Sequence, residues 1–100
     1  MVSDFTRYVI LLSAIEDRAT PPDIIRDHIA FLRCLDGEGK LVLCGPFTNQ
    51  SGGKVIIRAS NMEDATDIAK SGPFVRSGIR RFEVRSWQLS CEENNHLGMG

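Results

Sequence analysis

The stretch that decides the fold runs from Thr20 to Phe47 and has the sequence TPPDIIRDHIAFLRCLDGEGKLVLCGPF. Its first half predicts one amphipathic helix at residues 21–35, because apolar side chains recur there every three or four residues. Thr20 can cap this helix, and Pro21 suits its first position. A glycine-containing turn and a short apolar strand at residues 40–44 follow. The stretch therefore predicts a helix, a turn and a buried strand.

His28 lies at the centre of the apolar stripe of this predicted helix. The stripe also contains Ile24, Phe31, Leu32 and Leu35, and the opposite side carries Arg26, Ala30 and Arg33. A histidine in this place is either a core side chain with one hydrogen bond or a base that faces a cleft. Spacing and composition alone favour the core role.

Three more strands and a second helix complete the pattern. Strands are predicted at residues 5–13, 40–44, 54–59 and 80–89. The second helix begins at Ser60, whose spacing to Glu63 is that of a capping box, and it stops at Gly72. The polar loop at residues 48–53 predicts an antiparallel hairpin. The order βαββαβ predicts an α+β, ferredoxin-like fold, with a four-stranded antiparallel sheet covered on one face by two helices.

The predicted strands are apolar in both phases, which is unusual for a sheet with one wet face. Leu41, Val42 and Leu43 follow one another without a polar residue between them. Two helices can cover only one face, so a second copy is expected on the other, and we predict a homodimer. In the last strand the apolar phase changes before Trp87, which indicates either a bulge near Arg85 or burial on both faces.

Composition narrows the class of protein. The 100 residues suit one domain, which we place at residues 1–91, with a flexible tail at 92–100. A net charge of −1 gives no reason to expect a nucleic-acid partner, and the apolar run at residues 8–12 is too short for a membrane span. Three cysteines without a CxxC motif predict no metal site and no disulfide framework, and they favour a cytoplasmic protein.

Several short motifs, taken in order, resemble the YCII-related family of the dimeric α+β barrel superfamily. They are YVILL at residues 8–12, His28 with Phe31-Leu32, Gly39 with Gly45-Pro46, MEDA at 62–65, Pro73-Phe74-Val75 with Gly78, and Trp87. The resemblance covers nearly the whole domain. It implies a cleft between sheet and helices into which His28 points.

The resemblance also implies a chemistry. The family histidine is thought to transfer protons on a small cyclic or aromatic molecule, in lyase, isomerase or dehalogenating reactions that use no cofactor. The resemblance and the sequence together place the substrate-binding residues at Cys44, Gly45, Pro46, Gly72, Pro73, Phe74 and Arg76. Arg76 belongs to a cluster with Arg80 and Arg81, which could hold a carboxylate or phenolate, although a solvated surface is the simpler interpretation.

One position departs from the family pattern. The aspartate that should partner the histidine is replaced by Gly72, which cannot accept a hydrogen bond from the imidazole with a side chain. Glu16 and Asp17, in the first loop, are the remaining acidic candidates. Two hypotheses follow: an enzyme that depends on His28, or a non-catalytic dimeric module that binds a small molecule or serves as an accessory subunit.

Overall fold

A computed structural model describes residues 4–15, 19–49 and 51–98. The strands are β1 (Thr6–Ala14), β2 (Leu41–Pro46), β3 (Gly53–Ile57) and β4 (Arg80–Gln88). The helices are α1 (Pro22–Gly37), α2 (Met62–Ser71) and α3 (Pro73–Arg76), and short turns occupy Glu92–Gly98. No helix among these residues is long and apolar enough to cross a membrane.

The four strands form one antiparallel sheet in the order β2-β3-β1-β4. β1 lies inside the sheet, where Ile10 stands opposite Val55 of β3 and Val84 of β4. This order, with the helices on one face, is the ferredoxin-like arrangement. The predicted α+β fold class and the β2–β3 hairpin are confirmed.

The core lies between the helices and one face of the sheet. Its buried members are Tyr8, Ile10, Leu12, Leu35, Val55, Ile57, Ala65, Ile68 and Ala69. Alternate residues of β1 and β3 supply the sheet side, as the two-residue period of a strand requires. The face that points away from the helices, which we call the outer face, carries the intervening residues.

The start of α1 differs from the prediction. Pro21 is the residue before the helix, Pro22 is its first residue, and no side chain caps it. Thr20 is not a cap: its Oγ1 accepts a hydrogen bond of 2.8 Å from Nη2 of Arg80. The helix ends before Gly39, which adopts a left-handed φ of +74°.

The cap of α2 lies one residue later than predicted. Asn61 is the N-cap, and its Oδ1 accepts a 2.8 Å hydrogen bond from the N–H of Asp64. The Asp64 carboxylate in turn accepts a 2.9 Å hydrogen bond from the N–H of Ser60. Asn61 and Asp64 thus replace Ser60 and Glu63 in the cap, and the returning bond of Asp64 goes to Ser60, the residue before the N-cap.

The bulge near Arg85, one of the two explanations offered for the phase change in β4, is absent. The register of β4 against β1 runs without a shift from Thr6 opposite Gln88 to Ala14 opposite Arg80. Trp87 therefore lies on the outer face, opposite Arg7, and is 40% exposed. The register shift of this sheet lies in β2, between Leu41 and Leu43.

Two other segments carry structure that the sequence pattern did not indicate. The connection before β4 contains α3, a single turn of helix. After β4, the side chain of Asn94 donates to the carbonyl of Leu89 and accepts from the N–H of Cys91. The domain boundary at residue 91 and the flexible tail at 92–100 remain predictions.

Candidate functional site

An open cleft of about 770 Å³ separates α1 from the β2–β3 hairpin. α1 contributes Ile25, His28, Ile29 and Leu32 to one wall. The hairpin contributes the other wall, with Cys44, Gly45, Pro46, Phe47, Ser51, Gly52, Gly53, Lys54 and Val55. The other lining residues are Leu12, Thr20, Phe74 and Arg80. This volume and mostly apolar lining are usual for a site that binds a small molecule.

His28 is held at the wall of the cleft by a stacked ring. Its imidazole lies on the phenyl ring of Phe74, with centroids 4.0 Å apart and planes inclined by 13°. The ring is half-buried, and this burial lowers the pKa of His28 below its ordinary value of 6.5, because the charged form loses solvation. The positive charge of Arg80 lowers the pKa further. His28 is therefore neutral at neutral pH, the state in which imidazole accepts a proton.

Arg80, the first residue of β4, is the second polar group of interest in the cleft. Its Nη1 donates to the carbonyl of Ile79 over 3.0 Å, and its Nη2 donates to Thr20. Its Cζ lies 5.2 Å from the centroid of the Phe74 ring, in a cation–π contact. The phenyl ring of Phe74 thus contacts both the imidazole and the guanidinium.

Gly72 occupies the position at which the family resemblance predicts an aspartate, close to His28. It is buried, and with His28 and Phe74 it lines a small apolar cavity of about 20 Å³. Within the part of the chain that the structure describes, no carboxylate bonds to His28 or contributes to its pKa. Glu16 and Asp17 lie outside the described residues.

The structure distributes the other predicted site residues unevenly. Cys44, Gly45 and Pro46 line the cleft, but Pro73 and Arg76 do not. The three arginines of the predicted cluster are also separated, because Arg81 follows Arg80 in β4 and so points to the outer face. Their roles in binding stay predictions.

Sequence reasoning did not identify two apolar side chains of the cleft wall. Ile25 and Ile29 remain 40% and 44% exposed although both are large and apolar. They are four residues apart and widen the apolar stripe of α1 beyond what the core covers. That excess width was the signal in the sequence that could have indicated a second contact surface on this helix.

No group of three or more His, Cys, Asp or Glu side chains within residues 4–15, 19–49 and 51–98 is arranged to hold a metal ion. All three cysteines have free thiols, and Cys44 is exposed at the cleft.

Comparison with known proteins defines the family. The model of the YCII-related domain matches residues 6–88. The chain belongs to the YCII-related family. The resemblance drawn from the sequence motifs is therefore confirmed.

One curated protein and one solved structure are similar to this YCII-related chain. The uncharacterized protein YjpA of Bacillus subtilis is 29% identical over 82 residues, which are 82% of this chain and 96% of that protein. Among solved structures, the chain is similar to 5-chloro-2-hydroxyhydroquinone dehydrochlorinase from Burkholderia phenoliruptrix, in complex with 2,5-dihydroxybenzoquinone. That similarity has a TM-score of 0.62 and 17% identity, and covers 82% of this chain and 93% of the other. At this identity the likeness shows a common fold.

Proposed function

We propose that this YCII-related protein is an enzyme that uses His28 to transfer a proton on a small cyclic or aromatic molecule. The observation that carries the proposal is the neutral, half-buried imidazole of His28 at the wall of an open apolar cleft. A general base needs to be unprotonated at the working pH and within reach of the substrate. Burial and the neighbouring guanidinium provide the first condition, and the cleft provides the second.

The reaction class we propose is a lyase-type elimination. His28 accepts a proton from the substrate ring, and the electron pair of the broken bond forms a new double bond. The leaving group departs with the electron pair of its bond to the ring. The imidazolium then releases the proton to water. The solved dehydrochlorinase, which has the same fold and holds a dihydroxybenzoquinone, supports a small oxygenated ring as the substrate type.

The test is turnover of a panel of chlorinated and hydroxylated six-membered rings, monitored by mass spectrometry. His28→Gln should lower the rate of any substrate found by about a hundredfold or more, since a positioned base contributes 10²–10⁴. His96→Gln is the matched control, because His96 is exposed in the turns after β4. The kcat/KM of the wild type should hold steady at neutral pH and fall only below pH 6.5, where the depressed pKa of His28 lies. Unchanged turnover in His28→Gln would contradict the proposal.

A second candidate function is binding without catalysis. It is favoured by Gly72, which leaves the imidazolium without the carboxylate expected to stabilise it. Native mass spectrometry of the protein purified without denaturation would detect a retained small molecule. A ligand that is bound in the cleft but never converted would favour this module over the enzyme.

We further propose that the protein is a cytoplasmic homodimer. The three free thiols support a reducing compartment. For the dimer, the outer face supplies the support: Leu43 is 67% exposed there and Trp87 is 40% exposed. Packing of one outer face on a second copy would bury both.

A further inference from the structure

Arg80 lowers the pKa of His28, but that role does not explain the hydrogen bonds that fix its guanidinium at the cleft. Its guanidinium is a permanent cation at the wall of a mostly apolar cleft. The only ion pairs among the described residues are Lys40 with Glu38 and Arg85 with Glu83, so Arg80 has no carboxylate partner there. A cation on an apolar wall needs hydrogen-bond acceptors, and a ligand can supply them.

The charges of the cleft all have one sign. Arg80 and Lys54 are the charged residues among the described lining residues, and none of them is a carboxylate. Lys54 alternates with the buried Val55 in β3, so its side chain points to the outer face and Arg80 is the cation that faces the cleft. A cleft with a cationic lining and low-dielectric walls attracts an anion. A cationic ligand would find no partner among these groups.

The guanidinium is also fixed in direction. Hydrogen bonds to Thr20 and to the Ile79 carbonyl, together with the ring of Phe74, hold it in one orientation. A guanidinium has five N–H groups, so others remain for a ligand after these two bonds. Such a preorganised fork binds carboxylate-like oxygens more strongly than a mobile side chain does.

We propose that Arg80 is the anion-binding residue of the cleft, and that the ligand is a flat organic anion. The charged oxygens of this anion bind the guanidinium, while its ring lies against Ile25 and Ile29 beside His28. The inference rests on the proposed function, since it names the substrate class of the same cleft. A carboxylate and the enolate of a hydroxyquinone share the required chemistry, a delocalised oxyanion on a ring.

The experiment compares charged and neutral probes of the same size by calorimetry. The charged probes are 2,5-dihydroxybenzoate and 2,5-dihydroxybenzoquinone, whose acidic hydroxyls ionise in neutral water. The neutral partners are 2,5-dihydroxybenzamide and 2,5-diaminobenzoquinone, respectively. The wild type should bind each anion at least about tenfold more tightly than its neutral partner, as expected for a charge-assisted hydrogen bond. Equal affinity for an anion and its neutral partner overturns the proposal. The anion that binds more tightly identifies the preferred oxyanion.

Two variants test the residue itself. Arg80→Gln should weaken both anions about tenfold and leave the neutral probes within about twofold, because it removes the charge and keeps a polar side chain. Arg81→Gln is the matched control, since it removes the same charge from the next position, on the outer face. Equal losses in the two variants would show a nonspecific charge effect and overturn the assignment. If Arg80→Gln does not fold, as judged by circular dichroism, the wild-type selectivity decides.

The ring protons of His28 provide a readout that separates the two proposals. An anion bound beside Arg80 should raise the pKa of His28 in an NMR titration, because negative charge stabilises the imidazolium. The neutral probes should perturb the same resonances without raising that pKa. Probes that perturb His28 equally in wild type and Arg80→Gln would overturn the role of Arg80 and leave the proposed function standing. If no probe perturbs His28 or binds, the substrate class and the proposed function fail together.

Discussion

Among the residues that the structure describes, an aromatic ring and not a carboxylate positions His28. Stacking on Phe74 fixes the plane of the imidazole, but it offers no acceptor for a ring N–H and no negative charge for the imidazolium. Both causes that act on this group, burial and the cation of Arg80, lower its pKa. The residue is therefore a ready proton acceptor whose charged form is poorly stabilised.

A carboxylate at position 72 should oppose the lowering of the His28 pKa. Gly72→Asp is expected to raise the pKa of His28, because a nearby negative charge favours the imidazolium. The backbone there is ordinary, with φ of −69° and ψ of 142°, and a new Cβ would lie 3.3 Å from the ring of Phe31, which must shift by a few tenths of an ångström. Gly72→Asn is the matched control, since it has the same size without the charge. NMR titration of the His28 ring protons measures the pKa in both variants.

An increase confined to Gly72→Asp would show that position 72 controls the base. A pKa of His28 that is no higher in Gly72→Asp than in Gly72→Asn would mean that a carboxylate at 72 does not reach the imidazole. The missing aspartate would then not explain the poor stabilisation of the charged form.

Among the elements, α1 and α2 followed from helical periodicity, and the four strands followed from short apolar, β-branched runs bounded by turn residues. α3 could not be predicted, because four residues that begin with a proline have no measurable period. The cap of α2 was placed one residue too early because Ser60 and Asn61 are both good N-caps, and only the backbone geometry separates them. The phase change in β4 is real, since Trp87 lies on the outer face, but of its two explanations the bulge is wrong because the strand is regular.

The corrected cap makes a quantitative prediction for α2. Asn61→Ala should lower the free energy of unfolding by about 1 kcal/mol, because the N–H of Asp64 loses its acceptor. Asn61→Asp should keep most of the stability, since its carboxylate accepts the same bond and suits the helix dipole. Urea denaturation of the two variants and the wild type measures the difference. Equal stability of Asn61→Ala and the wild type would show that the Asn61 cap does not stabilise α2.

For the whole molecule, the sequence predicted the fold and, of the two polar groups of the candidate site, His28 but not Arg80. His28 could be found because its place on a helix face is a local property, and the family resemblance gave it a direction. Arg80 could not be singled out from its neighbouring arginines, because its setting depends on Thr20, 60 residues away in the chain, and on the ring of Phe74. Contacts of this kind form only when β4 is in register with β1, and no local pattern encodes them.

The outer face of the sheet carries exposed apolar side chains that a single chain leaves uncovered. The molecule measures 44 × 29 × 20 Å, and its smallest dimension suits one layer of helices on one sheet. Leu43, Ile56 and Val9 form an apolar row across three strands of that face, and Trp87 lies near the row on the edge strand β4. Leu43 is 67% exposed at the end of this row. Burial of such a side chain against a second copy would contribute about 2 kcal/mol.

We therefore expect a dimer of about twice the 11.1 kDa chain mass in sedimentation at micromolar concentration. Leu43→Lys should shift the population to monomers, because the charge would have to be buried in the contact. Met62→Lys is the matched control, since Met62 is also exposed but lies on α2. Trp87 is the single tryptophan, so its fluorescence should move to longer wavelength on dilution of the wild type and of Met62→Lys. In Leu43→Lys the emission should already be at the longer wavelength at every concentration. A wild-type chain that sediments as a monomer, with emission independent of concentration, would mean that the apolar outer face is stable without a second copy.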